Sequence, residues 1–209
     1  PSNKLAIIIQ GPLLQTDNFT IETIKLYKQI FRGAKLILST WEGEAQEAID
    51  EAKSHDVEVI TSKLPNESGF GNVNYQLKST MSGLSVAHRL KYEYSIKTRT
   101  DQRLYRNDLF NFFTSIIKAF PLEEGLNQHK RLVVSSFKTC KYRLYSLSDM
   151  MMFGDTRDMI SYWGADYYEK GISEYLDQST SRIPPIIHNT PIMTEIYLTL
   201  KYLEKLGIE

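Results

Sequence analysis

Apolar residues in the first sixty positions alternate between continuous runs and helical spacing. The β-branched run at residues 5–9 and the run at 35–40 predict strands that are buried on both faces, and residues 57–60 predict a third strand. Between these runs, apolar positions recur every three or four residues over 20–31 and 45–52, which predicts two amphipathic helices. This β-α-β-α-β order implies a parallel sheet with right-handed crossovers.

The pattern becomes less regular after residue 60. Turn-forming residues over 64–71 predict a surface loop, and helical spacing over 72–90 predicts a long helix. The remaining predicted elements are a strand at 94–99, a helix at 109–120 capped by Asp108, strands at 132–134 and 150–153, and a last helix that opens at Thr190 and ends before Gly207.

Length and charge exclude several classes of protein. The chain has 209 residues, which fits one α/β domain over 1–209, and its 25 Lys and Arg balance 25 Asp and Glu, which argues against a nucleic-acid-binding protein. The single cysteine excludes an internal disulfide framework. No apolar run approaches the ~18 residues that span a bilayer. We expect a cytoplasmic domain, and peripheral contact of its Tyr- and Lys-bearing surfaces with the inner face of a membrane stays open.

Ligands in open α/β sheets bind beyond the carboxyl ends of the strands, so the residues after each predicted strand are candidate site residues. The turn after the first strand, Gln10-Gly11-Pro12, lacks the G-x-G-x-x-G pattern, and G-x-x-x-x-G-K-[ST] occurs nowhere in the chain. These absences argue against a dinucleotide-binding dehydrogenase and a P-loop NTPase.

Two segments offer groups that suit a nucleotide. Thr40, Trp41 and Glu42 follow the second strand, where the indole could stack on a base and the carboxylate could accept from ribose hydroxyls; alternatively, Trp41 fills the sheet edge. Asn74 and Gln76 lie at the start of the long helix, after a glycine-rich loop. A helix N-terminus binds anionic groups, although these amides also suit an ordinary polar helix face.

Charged residues alternate at the end of the fourth strand. Strand periodicity places Lys97, Arg99 and Asp101 on one face, where ionised groups are costly unless they pair or meet a charged ligand. A diphosphate, with or without a divalent cation, would use Arg for bidentate contacts and Asp for the metal. The alternative is an internal salt bridge between Arg99 and Asp101.

Two further residues are candidates for chemistry in the second half. Asp149 precedes an apolar strand, so it could act as a general base whose pKa is tuned by burial, or as a turn or capping aspartate. His188 precedes the last helix and could contact a metal or phosphate, although a single histidine is more often structural. No Ser-His-Asp or Cys-His arrangement has recognisable spacing.

Together, several short motifs resemble the WavE-type lipopolysaccharide-synthesis family. They are spread over most of the chain and keep the order of that family. The motifs are IIIQGP at 7–12, LILSTWEG at 36–43, N-x-N-x-Q at 72–76, K-x-R-x-D at 97–101, SD at 148–149 before MFGD at 152–155, and Glu195 in the last helix.

The resemblance implies a GT-A-like, Rossmann-like glycosyltransferase with a mostly parallel central sheet flanked by helices. Such an enzyme transfers a sugar from a nucleotide-sugar donor, a UDP-sugar above all, to a bacterial surface polysaccharide, either lipopolysaccharide or capsule. In GT-A enzymes a D-x-D motif after the fourth strand holds Mn²⁺ or Mg²⁺, a later carboxylate lies near the acceptor and a C-terminal histidine often completes the metal site. By position, Asp101, Asp149 and His188 would take these roles.

This sequence departs from that scheme, because residues 101–103 read Asp-Gln-Arg. Arg103 could neutralise the leaving diphosphate itself, which leaves dependence on a metal open. We expect residues 1–105 to bind the nucleotide sugar and residues 106–209 to present the glycan acceptor. The expected donor contacts are Gln10, Gly11, Pro12, Thr40, Trp41, Glu42, Asn74, Gln76, Arg99 and Asp101.

Two alternatives from other classes remain. The first is a non-catalytic nucleotide- or glycan-binding module of a larger polysaccharide synthase. The second is a nucleotidyltransferase that activates a sugar phosphate. The second alternative expects a glycine-rich pyrophosphate loop with a basic residue after the first strand, and residues 10–14, QGPLL, do not provide one.

Overall fold

Six strands form one sheet in the order β3-β2-β1-β4-β6-β5. The computed structural model describes residues 4–123, 125–139, 142–169 and 193–208. Strands β1 to β4 are parallel, and β6 runs antiparallel to both β4 and β5. Their bounds are β1 Leu5–Gln10, β2 Lys35–Trp41, β3 Glu58–Ser62, β4 Tyr94–Arg99, β5 Val133–Val134 and β6 Met152–Asp155.

Helices cover both faces of the sheet. They are α1 Phe19–Ile30, α2 Gln46–Ser54, α3 Val73–Arg89, α4 Leu109–Ala119, α5 Thr156–Trp163 and α6 Thr194–Leu206. Side chains alternate along β1, so Ala6 and Ile8 pack in the apolar core with α3, α5 and α6. Leu5, Ile7 and Ile9 pack in the opposite core with α1, α2 and α4. A strand buried on both faces in this way has no polar position until it ends.

This architecture confirms the predicted fold class, an α/β domain with a mostly parallel sheet flanked by helices. It also confirms the predicted β-α-β-α-β order of the first sixty residues. Strands β5 and β6, from the second half of the sequence, extend the same sheet beyond β4. The division into donor-binding and acceptor-presenting halves stays a prediction.

Three details of the sequence prediction were wrong or incomplete. Asp108 precedes α4 but makes no capping hydrogen bond, because its carboxylate accepts hydrogen bonds from Arg106 instead. The apolar residues that recur with helical spacing in this segment are buried only at Phe113; they are Leu109, Phe112, Phe113, Ile116, Ile117 and Phe120. Helix α5 was missed; it begins where the Asp155 carboxylate accepts a hydrogen bond from the Arg157 backbone N–H at 3.0 Å.

The last helix starts at Thr194, later than predicted, and Thr190 lies outside the described residues. Within the described ranges, no helix has both the length and the apolar composition needed to cross a membrane. A cytoplasmic location stays a prediction.

Helix α3 approaches β1 closely at Gly83. A Cβ added there would lie 2.5 Å from Cγ2 of Ile8, which is fully buried in the centre of the sheet. Glycine therefore allows the helix to lie directly on the strand. This contact brings the N-terminal turns of α3 over the end of β1, which is where a cleft opens.

Candidate functional site

A cleft of about 510 Å³ opens at the carboxyl ends of β1, β2 and β4, with the first turn of α3 on its far side. This is the edge of a parallel sheet where ligands bind, and the volume falls in the range of small-molecule and cofactor sites. The cleft is lined by Gln10, Gly11, Pro12, Leu13, Leu14, Trp41, Leu64, Gly71, Asn72, Tyr75, Gln76, Arg99, Thr100 and Asp101.

The turn after β1 forms one part of the cleft wall through its backbone. The Gly11 N–H donates to the Ser39 carbonyl at 3.0 Å, and the Thr100 N–H donates to the Gln10 carbonyl at 3.1 Å. Gly11 has a φ of +121°, and a Cβ there would lie 3.0 Å from Thr100 Oγ1. Only glycine combines this conformation with such a close approach.

The Gln10 side chain is oriented by α3. Its Oε1 accepts a hydrogen bond from the buried Ser79 hydroxyl at 2.6 Å, and the Ser79 carbonyl in turn accepts from Ser39 Oγ at 2.7 Å. Gln10 Nε2 has no acceptor among the described residues, and the side chain lines the cleft. Gln10 therefore offers an N–H donor to a ligand.

Two aromatic rings lie on one side of the cleft. Trp41 and Tyr75 pack edge to face, with ring centroids 5.7 Å apart and an interplanar angle of 62°. Trp41 is only 8% exposed, whereas Tyr75 is half-buried. Trp41 therefore supports Tyr75, and Tyr75 offers the accessible ring. The sequence analysis missed Tyr75, although it lies between Asn74 and Gln76 in the N-x-N-x-Q motif.

The predicted ribose contact is not among the cleft-lining residues. Glu42 is exposed and Thr40 is fully buried, and neither lines the cleft. The carboxylate that acts at this strand end is Glu44, which accepts from Thr40 Oγ1 at 2.9 Å and from the Leu13 N–H at 3.0 Å. Glu44 thus links the turn after β1 to the end of β2, and the structure does not bring Thr40 or Glu42 to the cleft.

Asn74 has a structural position. It is buried, its Nδ2 donates to the carbonyls of Glu67 and Tyr168, and its Oδ1 accepts from the Tyr168 N–H at 2.7 Å. The amide therefore joins the loop before α3 to the segment after α5. Asn74 does not line the cleft.

Arg99 and Asp101 form a two-point ion pair in the cleft wall. Arg99 Nε donates to Asp101 Oδ1 at 2.9 Å, and Nη2 donates to Oδ2 at 2.7 Å. The Arg99 hydrogen bonds hold the pKa of Asp101 below its usual range, and Asp101 raises the pKa of Arg99. The salt bridge weighed as an alternative is present, and both of its members line the cleft.

Arg103 is placed differently from the expectation. Its Nε donates to Thr23 Oγ1 at 2.8 Å, its Nη2 donates to the Phe19 carbonyl at 3.1 Å, and its guanidinium lies 4.0 Å from the centroid of the Phe19 ring. These contacts hold Arg103 against α1, and it does not line the cleft. A role at the leaving diphosphate is therefore not supported.

Lys97 and Asp149 meet behind the cleft wall. Lys97 is fully buried, and its Nζ donates to the Asp149 carbonyl and, at 3.5 Å, to Gln76 Oε1. Gln76 lines the cleft. Asp149 is only 6% exposed, and its carboxylate accepts no hydrogen bond from the described part of the chain. Sequence alternation placed Lys97 on the face of Arg99 but did not reveal this contact with Asp149.

The described residues do not by themselves form a metal site. Both oxygens of Asp101 accept hydrogen bonds from Arg99, and nowhere in the described ranges do three or more His, Cys, Asp or Glu side chains group suitably for a metal ion. His188, the second ligand expected from the resemblance, lies outside these ranges. The described residues therefore do not fit the metal site that the resemblance implies.

One protein family matches the sequence, and solved structures of two other proteins have a similar fold. The fold is similar to that of a cytidylyltransferase from Leptospira borgpetersenii serovar Hardjo-bovis, with a TM-score of 0.49, 11% identity, and coverage of 97% of this chain and 94% of that one. It is also similar to 4-diphosphocytidyl-2C-methyl-D-erythritol synthase from Anaerococcus prevotii, with a TM-score of 0.46, 10% identity, and coverage of 84% and 82%. No functionally curated protein is significantly similar in sequence. The WavE lipopolysaccharide synthesis family matches residues 5–209, so the chain belongs to that family.

Proposed function

We propose that this protein is a glycosyltransferase that moves a sugar from a nucleotide-sugar donor, a UDP-sugar above all, to a glycan acceptor in lipopolysaccharide synthesis. One observation carries the proposal. A cleft of nucleotide-compatible volume lies at the carboxyl edge of the parallel strands, with the Tyr75 ring and the Arg99–Asp101 pair both in its wall.

The cleft offers a separate partner to each part of a nucleoside diphosphate. The accessible Tyr75 ring suits stacking on the base. Gln10 Nε2, which has no acceptor in the described part of the chain, suits an oxygen acceptor of the ligand. The Arg99 guanidinium suits two phosphate oxygens, because its planar fork matches them bidentately. When the diphosphate binds in this way, Arg99 loses part of its contact with Asp101 and donates to phosphate oxygens instead.

Arg99 and Asp149 are the residues to which we assign roles in the transfer step. The acceptor hydroxyl attacks the anomeric carbon of the donor sugar, the bond from that carbon to the diphosphate oxygen breaks, and the nucleoside diphosphate leaves with the bonding electrons. Arg99 stabilises the charge that develops on the leaving oxygens. If the reaction inverts the anomeric carbon, the proton of the attacking hydroxyl is assigned to Asp149, a nearly buried carboxylate that lies behind the cleft wall and accepts no hydrogen bond from the described residues.

A thermal-shift screen tests the donor site. A ligand that binds the folded state raises the melting temperature by mass action. Since the proposed donor is a UDP-sugar, we expect UDP to raise the melting temperature more than GDP, CDP or CMP. Each nucleotide is measured with and without Mn²⁺, and a shift that requires Mn²⁺ would show that the nucleotide binds together with the metal. No shift with any nucleotide would contradict the donor site and favour a glycan-binding module.

The products separate glycosyl transfer from its alternatives. A glycosyltransferase releases a nucleoside diphosphate from a nucleotide sugar, by transfer or by slow hydrolysis. A nucleotidyltransferase releases pyrophosphate from a nucleoside triphosphate and a sugar phosphate, and a non-catalytic module binds the nucleotide without releasing either product. Pyrophosphate release at a rate above that of nucleoside diphosphate release would overturn the proposed reaction.

A further inference from the structure

Lys97 is a fully buried lysine that lies behind the wall of the cleft. Its Nζ donates to the Asp149 carbonyl, lies 3.5 Å from Gln76 Oε1 and lies 4.6 Å from the centroid of the Trp163 ring. These neighbours come from the loop before β6, from α3 and from α5. One ammonium group thus contacts three segments that are far apart in sequence.

No carboxylate of the described residues forms a salt bridge with Lys97. The charged groups that act on it are Asp149 and Asp101, which favour the ammonium, and Arg99, which disfavours it. The groups that α3, α5, β1 and β6 place around it are uncharged, namely Gln76, Trp163, Ile8 and Met152. Burial is the largest effect and lowers the pKa of Lys97 to about 8.

A buried ammonium that forms no salt bridge with the described residues can attract an anion bound in the neighbouring cleft. Gln76 lies between Lys97 and the cleft, and its Oε1 faces the ammonium, so its Nε2 is free to meet the ligand. The positive charge lies one side chain behind the wall, where low dielectric strengthens its attraction for phosphate. The same ammonium holds the backbone of Asp149.

We propose, resting on the proposed function, that Lys97 is a positioning residue that orients Gln76 and Asp149. Its ammonium also balances the negative charge of the bound nucleoside diphosphate. Where the free protein has lost the Lys97 proton, nucleotide binding restores it. The direction of the pH dependence follows from the linkage between proton binding and nucleotide binding. A bound anion favours the ammonium, so the pKa of Lys97 is higher in the complex than in the free protein. Below about pH 7 the ammonium is present in both states. Above about pH 8 binding must add a proton, and affinity falls as the pH rises.

Calorimetric titration of the full chain with UDP from pH 7.5 to 9.0 tests this assignment. We expect the affinity of the unmodified protein to fall above about pH 8, by at most about tenfold per pH unit for one proton. Titrations in two buffers of different ionisation enthalpy at pH 8.5 should show net proton uptake. The phosphates of UDP are fully ionised in this range, because a phosphate monoester has its second pKa at about 6.

Lys97→Met removes the charge and keeps an unbranched side chain. We expect it to bind UDP about tenfold more weakly at pH 7.5, with affinity that varies with pH only as the ligand itself titrates. The matched control is Lys78→Met, a lysine of α3 that does not line the cleft, and we expect it to keep the affinity and pH profile of the unmodified protein.

The outcomes distinguish the two proposals. If the unmodified protein binds none of UDP, GDP and CDP at pH 7.5, the proposed function and this inference both fall. If it binds one of them without pH dependence or proton uptake beyond those of Lys97→Met, the role of Lys97 is overturned and the donor site stands. If Lys97→Met does not fold, the test uses the unmodified protein alone. Affinity that falls above about pH 8 together with proton uptake then supports the role of Lys97, and the absence of either overturns it.

Discussion

Arg99 donates to both carboxylate oxygens of Asp101, at 2.9 and 2.7 Å, just beyond the carboxyl end of β4. Arg106 and Asp108 repeat this two-residue spacing on the surface, where neither side chain lines the cleft. An Arg-x-Asp ion pair of this kind therefore lies in the cleft wall, and another lies outside the cleft. The second pair is a natural control for the first.

Arg99→Met should weaken UDP binding by at least about tenfold, because it removes a charge-assisted bidentate contact with phosphate. Its effect on the free energy of unfolding should stay below about 1 kcal/mol, since the Arg99 and Asp101 side chains are 32% and 44% exposed. Arg106→Met should leave UDP affinity unchanged. Calorimetric titration and urea unfolding measure both effects, and equal affinity losses in the two variants would remove Arg99 from the site.

Tyr75→Ala should weaken nucleotide binding by about 1–3 kcal/mol, the range for loss of one base–aromatic stack. Tyr75→Phe keeps the ring and should bind within about threefold of the unmodified protein, because stacking does not need the hydroxyl. Dissociation constants for UDP and for uridine separate stacking from phosphate contacts. A Tyr75→Ala protein with unchanged affinity for both ligands would show that the base does not lie on this ring.

Asp149→Asn should bind UDP normally and lose transfer or donor hydrolysis by about 10²–10⁴-fold, because general-base catalysis contributes a factor of that size. Asp166→Asn, at an exposed aspartate that does not line the cleft, should keep full activity. Release of nucleoside diphosphate from the nucleotide sugar provides the assay. Full turnover in the Asp149→Asn protein would exclude a proton-accepting role for this residue.

Gly83→Ala should destabilise the fold by about 1–3 kcal/mol, the usual cost of overpacking a core. The new Cβ would lie 2.5 Å from Cγ2 of Ile8, and a β-branched side chain in the sheet centre cannot turn away easily. Ser85→Ala, at an exposed position on the same helix, should change stability by less than about 0.5 kcal/mol. Urea unfolding compares them, and a neutral Gly83→Ala would mean that α3 can move away from β1.

Acid should destabilise the protein partly through Glu93. Hydrogen bonds from Lys4 and Lys130 lower the pKa of Glu93 to about 2, compared with about 4.5 in the unfolded chain. The resulting stability is present above about pH 4.5 and is lost as the pH falls towards 2. Since Glu93 is 37% exposed, its contribution is about 1 kcal/mol.

Glu93→Gln should therefore lose less stability between pH 7 and pH 3 than the unmodified protein does. Glu47→Gln, at an exposed glutamate of α2, should follow the unmodified protein. Urea unfolding at the two pH values measures the difference. An identical loss in the Glu93→Gln and unmodified proteins would show that the ion pairs with Lys4 and Lys130 are not formed in solution.

Local periodicity determined the parts of the fold that were predicted correctly. The apolar runs of β1 and β2 and the helical spacing of α1 and α3 are properties of adjacent residues, and parallel pairing follows from their order. The carboxyl edge of such a sheet is then the expected place for a cleft, and Gln10, Gly11, Trp41, Gln76, Arg99 and Asp101 all line it.

Tertiary packing decided which of the polar side chains near this edge face the cleft. Arg103 lies two residues from Asp101 but contacts Thr23 on α1. The Asn74 amide donates to the carbonyl of Tyr168, which is 94 residues away. Lys97 contacts the Asp149 carbonyl across 52 residues. Periodicity within one strand assigns a residue to a face, whereas the partner of a buried polar group depends on which distant segment packs there and brings an acceptor.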